Sequence, residues 1–140
     1  MNVNIKLMPG GKSPQYMSQH ASGLDCYASH PAIVPAHGRV LIELGFALAL
    51  PPGYEAQVRP RSGMALREGV YACLGTVDAD YRGEVKALLI NTTDFQVKVE
   101  TGDRVCQVVI TPVVRAFLVE VDSLDDTLRG TAGFGSSGVR

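Results

Sequence analysis

Asp78 and Asp80 lie two residues apart in Gly75-Thr76-Val77-Asp78-Ala79-Asp80-Tyr81-Arg82-Gly83. On an extended chain such residues share a face. Two close carboxylates raise the proton affinity of one of them unless a cation or a donor intervenes. That chemistry suits a general base acting on water, and Tyr81 adds a flat ring beside it. Taken alone, the segment reads more simply as a surface turn whose carboxylates bond to backbone. Arg59-Pro60-Arg61-Ser62-Gly63 offers a guanidinium, a hydroxyl and helix-start amides, a set that grips phosphate. An ordinary helix cap beside a solvated arginine is the plainer alternative. Asp25, after Gly23-Leu24, is placed to act on magnesium through water, or is a simple turn aspartate. Gln107 is polar inside an apolar strand, so it faces a polar site or is a satisfied core amide. From Arg129 to Gly138 the chain combines glycines, hydroxyls, an arginine and Phe134. Glycine backbone approaches an anion closely, and a lone aromatic can lie on a nucleobase. The same composition also describes a flexible tail. His20, His30 and His37 show no ligand spacing and read as surface residues. With no nucleophile–histidine arrangement, direct attack by water is preferred over a covalent intermediate.

Short strands must position these groups. Residues 95–100 alternate apolar and polar, Thr101-Gly102-Asp103 turns the chain, and 104–110 returns, which reads as a hairpin. Residues 39–44, 54–58, 84–91 and 115–121 complete the expected strands. Ser62–Gly69 is the one expected helix, capped by Ser62 and ended by Gly69. Many short strands between turn signals predict an all-β barrel or sandwich. Residues 1–122 read as one β-barrel domain, and residues 123–140 as an arm that leaves it.

The chain of 140 residues supports one core, and its net charge of −1 leaves no broad basic face for a nucleic-acid backbone. The ligand is therefore expected to be small. Cys26, Cys73 and Cys106 are odd in number and lack a CxxC pair, which argues against a disulfide framework and a zinc site. No apolar run approaches membrane-spanning length and no secretory leader is evident, so a cytoplasmic protein is expected.

Five segments in order resemble the motifs of the trimeric dUTPases (dUTP diphosphatases): 22–26, 60–65, 75–91, 102–107 and 129–138. The resemblance implies a distorted jelly-roll, or β-clip barrel, with one short helix and an extended C-terminal arm. It implies a homotrimer whose shared sites are closed by the arm of a neighbouring subunit. The activity implied is Mg²⁺-dependent hydrolysis of dUTP to dUMP and pyrophosphate, which keeps uracil out of DNA and supplies dUMP for dTMP synthesis. Carried over by residue, Asp78 would be the base and Tyr81 would pack on the deoxyribose. Ala72, Gly75, Thr76, Val77 and Lys86 would approach uracil. Arg61, Ser62, Gly63 and Gln107 would hold the phosphates, and Asp25 would act on Mg²⁺ through water. Arg129, Gly135, Ser136 and Ser137 would engage the terminal phosphate, with Phe134 over the base. Cys26 stands where leucine is usual, Cys106 where alanine is usual, and Ser22 where alanine is more usual. A dCTP deaminase-like enzyme and a non-catalytic dUTP-binding regulator are the alternatives.

Overall fold

The computed structural model describes residues 1–133. Its order is β1 (Asn4–Leu7), β2 (Gln15–Tyr16), β3 (Leu24–Tyr27), β4 (Ala32–Val34), β5 (Arg39–Glu43), β6 (Phe46–Ala49), β7 (Tyr54–Arg59), α1 (Ser62–Glu68), β8 (Val70–Ala72), β9 (Gly75–Val77), β10 (Lys86–Asn91), β11 (Val97–Val99) and β12 (Arg104–Pro112). This is an all-β jelly-roll with one short helix, as expected. Among the described residues no helix is long and apolar enough to cross a membrane.

The largest sheet runs β2-β3-β12-β7-β9, and smaller sheets run β5-β10-β8, β1-β6 and β11-β4. Alternation decides which face of each strand joins the core. Ala56 and Val58 of β7, Ala87 and Leu89 of β10 and Val108 of β12 point inward to Phe46, Ile42 and Leu44. Their intervening neighbours face out. In β12 the register slips between Arg104 and Cys106. This bulge turns two consecutive residues, Val105 and Cys106, into the core. Asn91 is buried at the end of β10, and its polar atoms are fully used. Its amide donates to the Val34 and Phe95 carbonyls (3.2 and 2.7 Å), and its oxygen accepts from the Thr93 N–H and hydroxyl.

Three local expectations are corrected. The turn at residues 100–103 forms, with Asp103 N–H on the Glu100 carbonyl (3.1 Å), but the strands beside it do not pair as a hairpin. β11 joins β4, and β12 lies between β3 and β7. A nine-residue strand gains a ladder on both edges this way, which three-residue β11 cannot supply. Ser62 is the first helical residue, not the cap. The capping position is Arg61, which makes no side-chain cap bond. Gly69 does end the helix, in the left-handed conformation at φ 62°. Finally, residues 115–121 form no strand: among the described residues they pair with none of the sheets. Phe117 and Leu118 are 97% and 96% exposed there.

Candidate functional site

β9 is an edge strand, paired with β7 on one side only. The ladder stops at Val77 and the chain turns at once, with Tyr81 N–H on the Asp78 carbonyl (3.1 Å). Asp78 and Asp80 therefore stand on a turn, and the face-sharing argument for an extended chain does not apply. Arg82 closes the turn by donating to the Ala79 and Tyr81 carbonyls (2.7 and 2.9 Å). The Tyr81 hydroxyl donates to the Glu84 carbonyl at 3.1 Å and so lays the ring across Gly83. A Cβ at residue 83 would overlap that hydroxyl and sit 2.9 Å from ring carbon Cε2. Asp78, Tyr81, Thr76, Val77 and Lys86 border a cavity of about 280 Å³, together with Leu41, Glu84 and Val85. Lys86 reaches Glu43 at 2.9 Å and Glu84 at 3.9 Å. The hydrogen bond holds the Lys86 ammonium above, and the Glu43 carboxyl below, their ordinary ranges. Ala72 is the exception among the expected residues. Its side chain is in the core and its backbone pairs with Leu89, away from this cavity.

The second group assembles where β3, β12 and β7 meet α1. Asp25, Gln107 and Arg59 are register partners across the three strands. Asp25 is buried on a strand rather than in a turn, with its side chain 13% exposed. Arg61 Nη2 and Arg104 Nη1 both bond its Oδ2, at 3.3 and 3.2 Å. Arg61 also donates from Nη1 to the Arg104 carbonyl at 2.7 Å. Two guanidinium groups thus share one carboxylate, and the cluster keeps a net positive charge. The Gln107 amide donates to the Pro60 carbonyl at 2.9 Å and anchors the turn that presents Arg61. Gly23 leaves room for it, since a Cβ there would run into Gln107 Oε1. Ser62 and Gly63 lie in the first turn of α1, where backbone N–H groups have no intrahelical acceptor. Arg61, Arg67, Lys98 and Arg104 border a cavity of about 240 Å³, with Glu68 and Asp103 opposing them. Four cationic side chains against two acidic ones give this cavity a positive lining. Sequence reasoning missed Arg104, Arg67 and Lys98. The available signal was that Arg104 is the only charged residue of its strand.

Among the described residues, no three His, Cys, Asp or Glu side chains converge to hold a bare metal ion. The donor set fits a different arrangement. Both ion pairs of Asp25 fall on Oδ2 and leave Oδ1 outside them, as contact with a hydrated ion would require. Magnesium binds in this manner, through one or two carboxylates plus phosphate oxygens. The positive cluster favours a cation that arrives already carried by an anion.

The two groups do not form one site within the chain. Ala56 pairs with Val77, so Asp78 follows directly beside the first half of β7, whereas Arg61 lies beyond its far end. The five residue steps from 56 to 61 span roughly 16 Å when extended. The two cavities have no lining residue in common. Arg129 borders neither cavity; it is exposed and donates to the Ala132 carbonyl at 3.0 Å. Phe134, Gly135, Ser136 and Ser137 lie outside the described residues.

A family model described as dUTPase matches residues 10–138. The deoxyuridine 5'-triphosphate nucleotidohydrolase of Syntrophotalea carbinolica is 50% identical, covering 89% of this chain and 88% of the relative. That of Zymomonas mobilis is 44% identical over 99% of both chains. Among solved structures, a Staphylococcus bacteriophage 80alpha dUTPase mutant with dUpNHpp matches with a TM-score of 0.92. It is 22% identical over 99% of each chain. A phage phi11 dUTPase mutant described with a structural Mg(II) ion matches with a TM-score of 0.83, at 18% identity, over 88% of this chain and 98% of that one. At these identities the solved structures establish likeness of fold.

Proposed function

The chain belongs to the dUTPase family, and on that premise we propose that it hydrolyses dUTP to dUMP and pyrophosphate in sites shared between subunits of a homotrimer. One observation carries this reading. The base-bearing turn and the anion grip stand at opposite ends of β7 and border separate cavities. A second copy brings the Asp78 end of one subunit against the Arg61 end of another. The bare apolar stretch of residues 113–121 supports the same assembly, because a strand-like segment without an edge needs one from elsewhere.

In the proposed mechanism Asp78 orients a water molecule and accepts its proton as the water attacks the α-phosphorus in line. The open outer edge of β9 presents fixed backbone donors and acceptors at residues 75–77 to the uracil edge. Cytosine offers the reversed pattern and would leave buried groups unpaired. Tyr81 packs on the deoxyribose, where a ribose hydroxyl would clash. Lys86 approaches the base from the adjoining wall, and Ala72 can contribute only through its backbone. Arg61, Ser62, Gly63 and Gln107 position the phosphates, and Arg104 holds Arg61 and Asp25 in place. Asp25 would hold Mg²⁺ through water, and the bound ion would neutralise phosphate charge. The arm of residues 123–140 closes the site, with Arg129, Gly135, Ser136 and Ser137 at the terminal phosphate and Phe134 over the base. A cytoplasmic location accords with this activity.

The test is a panel of dUTP, UTP, dTTP and dCTP with pyrophosphate as the readout. Pyrophosphate is expected from dUTP alone. Ammonia released from dCTP would identify a deaminase, and dUTP binding without pyrophosphate would identify a regulator. Two variants probe the parts. Gly83→Ala is expected to displace the Tyr81 ring and weaken discrimination between dUTP and UTP about tenfold. Unaltered discrimination would show that the ring does not select the sugar. Deleting residues 129–140 is expected to lower kcat/KM at least about a hundredfold. The melting midpoint should stay unchanged, since residues 129–132 are exposed and outside the core. A truncated protein with the full rate would remove the arm from catalysis.

A further inference from the structure

The fold brings two of the three cysteines, Cys26 and Cys106, together. They are register partners on the adjacent antiparallel strands β3 and β12. Both are 0% exposed, and both belong to the core cluster of their own subunit. Cys26 directs its thiol toward the Leu24 carbonyl at 3.4 Å.

We propose that Cys26 and Cys106 constitute a cross-strand disulfide site, closed by a peroxide-class oxidant, which ties the strand of Asp25 to the strand of Gln107. Directly opposed residues of an antiparallel pair have Cα atoms about 4.5–5.5 Å apart. A disulfide accepts about 4.4–6.8 Å, so directly opposed cysteines lie within the range an unstrained bond needs. Cys73 has no comparable partner. It follows β8 in a different sheet, and its N–H is bound to the Leu88 carbonyl at 2.8 Å.

The chemistry balances with peroxide as the oxidant. Peroxide oxidises one thiol to a sulfenic acid and releases one water. The second sulfur then attacks the first, forms the S–S bond and releases a second water. Two S–H bonds and one O–O bond are broken, and both electrons end on the peroxide oxygens. Because the pair is buried, the step waits for local opening. The edge beside β3 is the place for it, since β2 holds that edge with only two residues. The bond forms on the core face, and Asp25 and Gln107 alternate to the other side. The staple therefore fixes the spacing of the anion grip without entering it.

The test uses the full chain carrying Cys73→Ser, so that the paired thiols are the only ones left. After treatment with hydrogen peroxide the intact mass is expected to fall by ~2 Da, the two hydrogens lost. Thiols titrated in denaturant should drop from two to none, and dithiothreitol should restore both. An unreduced digest should join the peptide containing Cys26 to the one containing Cys106. The melting midpoint should rise by about 10 °C, as expected for closing a loop of this length. Thiols that remain titratable, oxygen added without a crosslink, or chains linked to each other would overturn the proposal. So would the same mass loss in a further Cys106→Ala variant. A midpoint that falls on closure would overturn the strain-free geometry. None of these readouts depends on nucleotide hydrolysis, so this inference and the proposed activity fail separately.

Discussion

Asp78→Asn is expected to abolish most turnover of dUTP while leaving its binding intact. Asparagine keeps the size of the side chain and one acceptor oxygen, so the water can still be held. It cannot take the proton that the water must lose as the bond to phosphorus forms. Loss of a positioned general base costs about 10²–10⁴ in rate, or roughly 3–5 kcal/mol of barrier. Binding should hold or tighten, because a negative charge beside the triphosphate has been removed. Stability should change by less than ~0.5 kcal/mol, since Asp78 is exposed and forms no ion pair among the described residues. The measurement is a single-turnover rate with pyrophosphate readout, beside the affinity for a non-hydrolysable analogue. Asp80→Asn is the control, as Asp80 does not line the cavity. A rate for Asp78→Asn close to the parent would remove this carboxylate from the chemistry.

Mixing two dead proteins is expected to restore activity. Arg61→Ala strips the anion grip of a guanidinium that reaches both Asp25 and the Arg104 carbonyl, and should cost about 10²-fold in kcat/KM or more. Asp78→Asn disables the other end of β7. If one chain supplied both groups, no mixture of the two variants would work. If neighbouring subunits supply them, some sites in a mixed trimer draw Asp78 from one protein and Arg61 from the other. Random exchange of equal amounts makes about a quarter of the sites fully equipped, one half times one half, in a cyclic assembly. Denaturing and refolding the variants together, then measuring pyrophosphate release, should therefore give about 25% of the parent rate, against well under a few per cent for either alone. Activity no higher than the sum of the separate proteins would place both groups in one chain's site and overturn the shared arrangement.

The elements differed in how much they disclosed. The turn at residues 100–103 was legible, because Gly102 admits the positive φ that it needs. The partner of each strand was not. Alternation in residues 97–99 tells which side chains are buried, but it carries no information about which edge β11 will meet. β6 was overlooked because Phe46, Ala47 and Leu48 are all buried and do not alternate. The segment at 115–121 has the composition of a strand and lacks only the neighbour. Asp25 illustrates the same divide at the site. Its type and motif marked it as functional, whereas the pairing with Arg104 joins residues 79 positions apart and could not be read along the chain.

Composition and local spacing by themselves determined the class of fold and the turn that carries Asp78, while five ordered motifs carried the resemblance to the family. These depend on backbone preferences and side-chain chemistry within a few residues. Only the tertiary structure decided that Asp78 and Arg61 stand at opposite ends of one strand, that Arg104 shares Asp25, and that two cysteines face each other. Those relations are set by which strands lie side by side, and long-range pairing is selected by burial of the whole core rather than by any short stretch of sequence.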